Sequence, residues 1–313
     1  MCKNMNVLLS TGSTKFTCEQ IEKIKAIKGV NLFIQDDERE PLAIAKSKIN
    51  YLISFSLLSR YDVDDFINLK HVQALTQGLE PIPVEKLEKR GISLKRAIGL
   101  YSTPIAEFVL LRTLEIYKSA RFFDKNQRAK VWKKDRGLRE LTDKRIAIVG
   151  YGDIGNEVAK RFSAFGSKII SFSRSEKKSP YIDEHYHISK LKSKLSQIDI
   201  TVVCVPYNKE THNLFDEKMF SNMKKQCVFI NIARGQIVNE DDLITYIEKD
   251  KFLGVALDVT VNEPLPSDSQ LWDYENVFIS PHNSFASDVV NKRMYALIYS
   301  NLKKTCENES EKI

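Results

Sequence analysis

Arg145-Ile-Ala-Ile-Val-Gly-Tyr-Gly-Asp-Ile-Gly155 is a short apolar run that leads straight into glycines spaced G-x-G-x-x-G. Asn156-Glu-Val-Ala-Lys-Arg-Phe162 continues with helical character, and Lys168–Phe172 is the next strand-like run. A glycine triplet alone is weak evidence and is often plain turn chemistry. A strand before it, a helix after it and a second strand beyond it mark the first βαβ unit of a dinucleotide-binding sheet. Gly150 permits the tight turn, Gly152 lets a pyrophosphate approach the backbone, and Gly155 lets helix and strand pack closely. With Tyr151, Asp153 and Ile154 they make a candidate phosphate cradle at a helix N-terminus.

The end of the second strand carries the next signal. Ser171-Phe-Ser-Arg-Ser-Glu-Lys-Lys178 places Ser173 where an acid commonly grips the adenosine ribose, and Glu176 comes too late for that role. Ser173, Arg174 and Ser175 instead offer a hydroxyl, a guanidinium and a second hydroxyl, with Lys177 and Lys178 adding positive potential. Arginine suits phosphate because its planar fork donates two parallel hydrogen bonds. The bland alternative is a solvated basic loop. The expected cofactor is NADP, as NADPH, with NAD as the weaker one.

Outward from this unit, strand-like runs at Ile200–Val205, Val228–Ile232, Gly254–Val259 and Val277–Ser280 alternate with helical stretches, and His185–Ile188 adds another strand. The first hundred residues repeat the theme, with strands expected at Asn6–Ser10, Val30–Ile34, Tyr51–Phe55, Val72–Thr76 and Ile92–Lys95 and a helix at Glu19–Ile27. Thr103 reads as an N-cap, with Pro104 at the first helical position and Glu107 soon after, opening a broadly apolar helix. Ser287–Lys303 is helix-like, and the polar tail Glu307–Ile313 is expected to fray. Strands alternating with helices mean an α/β protein with two doubly wound parallel sheets. A Rossmann-type nucleotide domain, residues 99–286, is expected within a smaller flavodoxin-like substrate domain, residues 1–98 plus 287–313.

Bulk properties narrow the partners. Hydrophobic residues make up 42% of the 313 positions and charged residues 28%, which suffices for a globular core. No run reaches the roughly 18 apolar residues of a membrane span, and Met1–Thr14 lacks the apolar segment and cleavage site of a secretory signal. A cytoplasmic location without a membrane partner is expected. Cys2, Cys18, Cys204, Cys227 and Cys306 are scattered, with no CxxC or Cys/His cluster, so neither a disulfide framework nor a metal site is expected. A net charge of +7 raises nucleic acid as a partner, yet acids interrupt the basic segment Lys125–Arg145 and no nucleic-acid-binding motif accompanies it. Anionic metabolites and cofactors suit that surface better.

Three later stretches place chemistry just past strands: Asn231-Ile-Ala-Arg-Gly235, Leu257-Asp-Val-Thr-Val-Asn-Glu-Pro264 and Val277-Phe-Ile-Ser-Pro-His282. Carboxyl ends of strands face the ligand crevice of an open α/β sheet. Arg234, Glu263 and His282 are therefore expected beside the cofactor. Each alone would pass as a surface charge, a loop acid or a satisfied histidine.

With Leu69–Gly78, Thr103-Pro-Ile-Ala-Glu107, Val205-Pro206 and Glu210-Thr211, these stretches resemble the D-isomer-specific 2-hydroxyacid dehydrogenase family, which includes glyoxylate/hydroxypyruvate reductases. The resemblance implies hydride transfer from NADPH to C2 of a small 2-oxo acid. It implies His282 as acid/base, Glu263 as its partner and Arg234 on the substrate carboxylate, which backbone N–H groups around Gln77 and Gly78 would also hold. It further places Val205, Pro206, Thr211, Ala233 and Asp258 at the cofactor, Asp258 near the nicotinamide carboxamide, and implies a homodimer through the Thr103–Phe123 region. Ser173-Arg174, Gln77, Tyr207-Asn208 and Asn283-Ser-Phe285 depart from the common pattern, which bears on cofactor and substrate identity. Two other readings remain at this point: a dinucleotide-sensing protein with little turnover, and nucleic-acid binding through Lys125–Arg145.

Overall fold

The computed structural model describes residues 5–12 and 16–311; Cys2 and the last two residues of the expected fraying tail lie outside the described residues. The chain divides into two units, Met1–Tyr101 with Ser287–Ile313, and Ser102–Ala286.

The first unit contains β1 (Met5–Ser10), α1 (Cys18–Lys25), β2 (Val30–Gln35), β3 (Tyr51–Ser54), β4 (His71–Ala74), α2 (Val84–Lys89) and β5 (Ser93–Lys95), together with the C-terminal helix Val290–Glu311. Its strands pair in the order β2-β1-β3-β4-β5, all parallel. Thr17 caps α1 in a reciprocal box with Gln20, which satisfies donors that the first turn leaves orphaned. Leu8, Leu52, Val72 and Ala74 are buried in the core of this sheet, covered by Phe66 and Leu87. The C-terminal helix stays helical as far as Glu311, so the expected fraying from Glu307 is not seen over those residues.

The second unit contains α3 (Ser102–Tyr117), α4 (Ala120–Arg128), β6 (Arg145–Val149), α5 (Asp153–Ala164), β7 (Lys168–Ser173), β8 (Glu184–His187), α6 (Leu191–Lys194), β9 (Ile200–Val203), α7 (Glu217–Asn222), β10 (Cys227–Asn231), α8 (Glu240–Glu248), β11 (Phe252–Leu257) and β12 (Val277–Ile279). The sheet runs β8-β7-β6-β9-β10-β11-β12 and is parallel throughout. Ile146, Ala147, Ile148 and Val149 are all fully buried, because helices cover both faces and a central strand then reads as a continuous apolar run.

The start of α3 differs from the sequence expectation. Ser102 is already helical, so Thr103 is not the N-cap, and Pro104 occupies the third position rather than the first. Proline is tolerated there because the N–H groups of the first turn lack intrahelical acceptors in any case. α3 lies against the sheet at Gly254, where an added Cβ would come within 2.7 Å of the Ile116 side chain. Both sheets reverse their strand order, between β1 and β3 in one and between β6 and β9 in the other. Such reversals open a crevice at the strands' carboxyl ends. Among the described residues no helix is long and apolar enough to cross a membrane.

Candidate active site

The glycine turn stands at the β6/β9 reversal. Gly150 has φ +97°, and a Cβ there would lie 2.6 Å from the Val205 nitrogen and 2.8 Å from the Cys204 oxygen. Gly155 is as tight, since its Cβ would meet the Gly150 oxygen at 2.6 Å. Gly152 is the opposite case. It caps α5, is exposed, and a Cβ there would meet nothing within 4 Å. Two glycines thus let backbone pack on backbone, and the third leaves space in front of a helix N-terminus. That arrangement fits a pyrophosphate.

Around the turn, Tyr151 is buried and donates its hydroxyl to Asn156 Oδ1 at 3.2 Å, and burial raises its phenol pKa. Asp153 and Ile154, both half-buried, open α5. Ser173 closes β7 with its hydroxyl committed to the Ser175 carbonyl at 2.7 Å. Arg174 and Ser175 are exposed, and the Arg174 guanidinium lies 3.8 Å from the Glu210 carboxylate. Past β9, Thr211 donates to the Pro206 carbonyl at 2.8 Å and accepts from the Asn208 N–H at 2.8 Å, which pins the turn after Val205-Pro206.

β10, β11 and β12 end level, with Asn231 opposite Leu257 and Leu257 opposite Ile279. Each is followed by one part of the expected constellation. After β10, the Asn231 side chain accepts from the Ala233 N–H at 3.1 Å and donates to the Arg234 carbonyl at 2.9 Å, closing the arginine turn. Arg234 Nη1 donates to the Ala233 carbonyl at 2.6 Å. Gly235 lies so close to the next loop that a Cβ would fall 2.0 Å from the Thr260 carbonyl. The arginine turn is therefore seated on the loop that carries Glu263.

That loop is braced along its length. Thr260 Oγ1 donates to the Asn262 carbonyl at 2.7 Å, and Gln236 Nε2 donates to the Val261 carbonyl at 3.1 Å. The Val261 N–H donates to Glu240 Oε2 at 3.3 Å, and the Thr260 N–H donates to Glu263 Oε1 at 3.3 Å. The other Glu263 oxygen, Oε2, accepts from His282 Nδ1 at 2.9 Å, and both side chains are 41% exposed. A carboxylate against Nδ1 sets the tautomer and leaves Nε2 to exchange a proton with a ligand. His282 has φ +49°, a left-handed conformation that side-chain-bearing residues seldom adopt.

Asp258 is only 1% exposed and turns its carboxylate toward the histidine loop. It accepts from the Ser280 hydroxyl at 2.7 Å, the Asn283 N–H at 2.9 Å, the Ser284 N–H at 3.1 Å and the Ser284 hydroxyl. These four donors all lie in the loop that follows β12. Gln77 and Gly78 belong to the other unit, where the Gln77 carbonyl accepts from Arg96 at 3.1 Å and the Gly78 carbonyl from Thr76 Oγ1 at 2.7 Å. No group of three or more His, Cys, Asp or Glu residues that could hold a metal occurs among the described residues.

Asn231, Glu240 and Ser280 support the site and were given no role from sequence, and Ser284 was marked only as part of the departure Asn283-Ser-Phe285. A polar residue near a strand end carries no local mark of a partner that lies many positions away.

Several known proteins resemble this chain. The pattern described as D-isomer specific 2-hydroxyacid dehydrogenase, NAD binding domain, matches residues 110–284. A glyoxylate reductase of Thermofilum pendens is 32% identical over 241 residues, covering 75% of this chain and 71% of that protein. A glyoxylate reductase of Pyrococcus horikoshii is 29% identical over 276 residues, covering 84% and 82%. The crystal structure of a D-isomer specific 2-hydroxyacid dehydrogenase family protein from Aeromonas salmonicida superposes with a TM-score of 0.82 at 24% identity, over 98% of this chain and 96% of that one. With the glycine turn, the level strand ends and the histidine–glutamate pair in place, the chain belongs to the D-isomer specific 2-hydroxyacid dehydrogenase family.

Proposed function

We propose that the protein reduces a small 2-oxo acid to the D-2-hydroxy acid with NADPH, glyoxylate and hydroxypyruvate being the first substrates to try. The observation that carries this reading is the His282 Nδ1–Glu263 Oε2 hydrogen bond at 2.9 Å, past the carboxyl ends of β11 and β12 in a sheet that also carries the glycine turn. Residues 150–155 would hold a nicotinamide dinucleotide, which would supply the hydride for the carbonyl carbon. His282, protonated and oriented by Glu263, gives the proton from Nε2 to the carbonyl oxygen, which completes the two-electron reduction. Arg234 binds the substrate carboxylate through its guanidinium fork and orients the ketone.

Preference for NADPH rests on Ser173, Arg174 and Ser175 at the end of β7, where Ser173 takes the place of the acid that would grip the ribose and repel a 2′-phosphate. A cytoplasmic homodimer through the region Thr103–Phe123 belongs to the same reading, supported by the exposed apolar side chains of Leu111 and Phe123. The test is steady-state oxidation of NADPH and NADH side by side against glyoxylate, hydroxypyruvate, pyruvate and branched 2-oxo acids, with His282→Ala as control. Turnover with NADPH preferred, lost by about 10²–10⁴-fold in the variant, is the expected result for a general acid. Unchanged reduction by His282→Ala would sink the mechanism, and tight dinucleotide binding without turnover would favour a sensor.

A further inference from the structure

We infer that Ser284 is a positioning residue, and that with Asp258 and Ser280 it forms a buried latch holding His282 in its working conformation. The inference rests on the reading of His282 as the proton donor.

His282 is the only non-glycine residue at a described strand end of the site with a left-handed backbone, φ +49°. That conformation is unfavourable by about 1–2 kcal/mol for a residue with a Cβ, so surrounding contacts must impose it. They converge on one residue. The His282 N–H donates to the Asp258 carbonyl at 2.8 Å and to the Ser280 carbonyl at 3.0 Å. On the near side, the Ser280 hydroxyl donates to Asp258 Oδ1 at 2.7 Å. On the far side, the Asn283 N–H donates to the same oxygen at 2.9 Å. The Ser284 N–H spans both carboxylate oxygens, at 3.1 and 3.2 Å, and the Ser284 hydroxyl donates to Oδ2. Residues 280, 282, 283 and 284 are thus all tied to Asp258, and the imidazole projects from the middle of the tether.

The two carboxylate oxygens are held unequally. Oδ1 has the Ser280 hydroxyl and two backbone N–H donors. Oδ2 has the Ser284 hydroxyl and one longer N–H contact. Asp258 is 1% exposed and Ser284 is 6% exposed, so bulk water cannot readily replace a donor lost from Oδ2. Removing the Ser284 hydroxyl leaves that oxygen short of a partner. Relaxation of residues 282–284 toward ordinary backbone angles then turns the His282 ring away from Glu263. The Ser284 hydroxyl donates to Asp258 rather than to His282 or Glu263, so its action passes through the loop.

The experiment compares Ser284→Ala, Ser284→Thr and the parent protein in reduction of the best 2-oxo acid. Displacement of a catalytic group by 1 Å can reduce rate about 10²-fold. A partial release in Ser284→Ala is expected to lower kcat about tenfold while the KM of the 2-oxo acid changes less than about twofold, because the Arg234 turn is held by Asn231 instead. Ser284→Thr retains the hydroxyl and should recover most of the lost kcat. The downfield proton resonance of the His282 Nδ1–H, assigned as the one missing in His282→Ala, should weaken in Ser284→Ala and return in Ser284→Thr. Equal kcat in Ser284→Ala and parent, or a loss that Ser284→Thr does not recover with the resonance unchanged, overturns the latch. If Ser284→Ala does not fold, the resonance and kcat of Ser280→Ala, which removes the hydroxyl on Oδ1, decide in the same way. Failure of the parent protein to reduce any 2-oxo acid would instead remove the functional reading beneath the inference.

Discussion

Gly235→Ala tests whether the arginine turn and the glutamate loop must stay in register. An alanine Cβ would fall 2.0 Å from both the carbon and the oxygen of the Thr260 carbonyl and 2.4 Å from the Val261 nitrogen. These are backbone atoms, so no side-chain rotation relieves the overlap. Reaching the 3.4 Å of ordinary contact from 2.0 Å requires the two segments to part by about 1.4 Å. Overpacking of this kind destabilises by about 1–3 kcal/mol, or a fall in Tm of about 2–4 °C per kcal/mol for a unit of this size. The larger consequence is functional. Arg234 and Glu263 sit on opposite sides of the contact, and a shift of 1 Å between groups that act on one substrate is worth up to about 10²-fold in rate. The assay is kcat/KM for the 2-oxo acid by NADPH absorbance, with a thermal melt and the cofactor dissociation constant measured on the same sample. The expected result is a loss of about 30- to 100-fold in kcat/KM, with cofactor affinity retained because the 150–155 turn is not touched. A folded variant with kcat/KM within twofold of the parent would refute the reasoning.

Gly152→Ala should lower Tm only slightly, since alanine is a poorer N-cap than glycine but its Cβ would meet nothing within 4 Å, yet raise the dissociation constants of NADPH and NADH by tenfold or more, about 1.4 kcal/mol. Isothermal titration with each dinucleotide checks this, and unimpaired binding would place the phosphates elsewhere. Glu210→Gln removes the carboxylate 3.8 Å from Arg174. Since an exposed ion pair is worth about 0.2–1 kcal/mol, the KM for NADPH should fall about two- to fivefold, less at high salt, with that for NADH unchanged. An equal fall for both would show that Arg174 does not read the 2′-phosphate. Burial pushes the Cys227 thiol up to about 12. For a thiol whose folded pKa lies above its unfolded value of about 8.5, the contribution to stability is full below pH 8.5 and is lost as pH rises toward 12. Denaturant midpoints should therefore decline over that range in the parent and less steeply in Cys227→Ala; identical slopes would contradict the burial.

The strands of the second sheet and the glycine turn were legible in the sequence because their causes are local. A central parallel strand buried on both faces must be apolar along its length, as Ile146–Val149 is, and only glycine accepts φ +97° with backbone 2.6 Å from its Cβ position, as at Gly150. The helix start at Ser102 was misread by two residues because Thr and Pro are favourable at several first-turn positions, and packing chose among them. Arg234, Glu263 and His282 could be nominated from strand-end position alone. Their mutual support could not. The fit of Gly235 against Thr260, the turn of the Asp258 carboxylate toward Ser280 and Ser284, and the left-handed His282 arise from contacts between segments more than twenty positions apart. Backbone propensity and hydrophobic period act over a few residues, whereas these contacts exist only once the sheet sets β10, β11 and β12 side by side with their ends level. The sequence determined which chemistry is carried, and the tertiary structure decided how the residues that carry it are held.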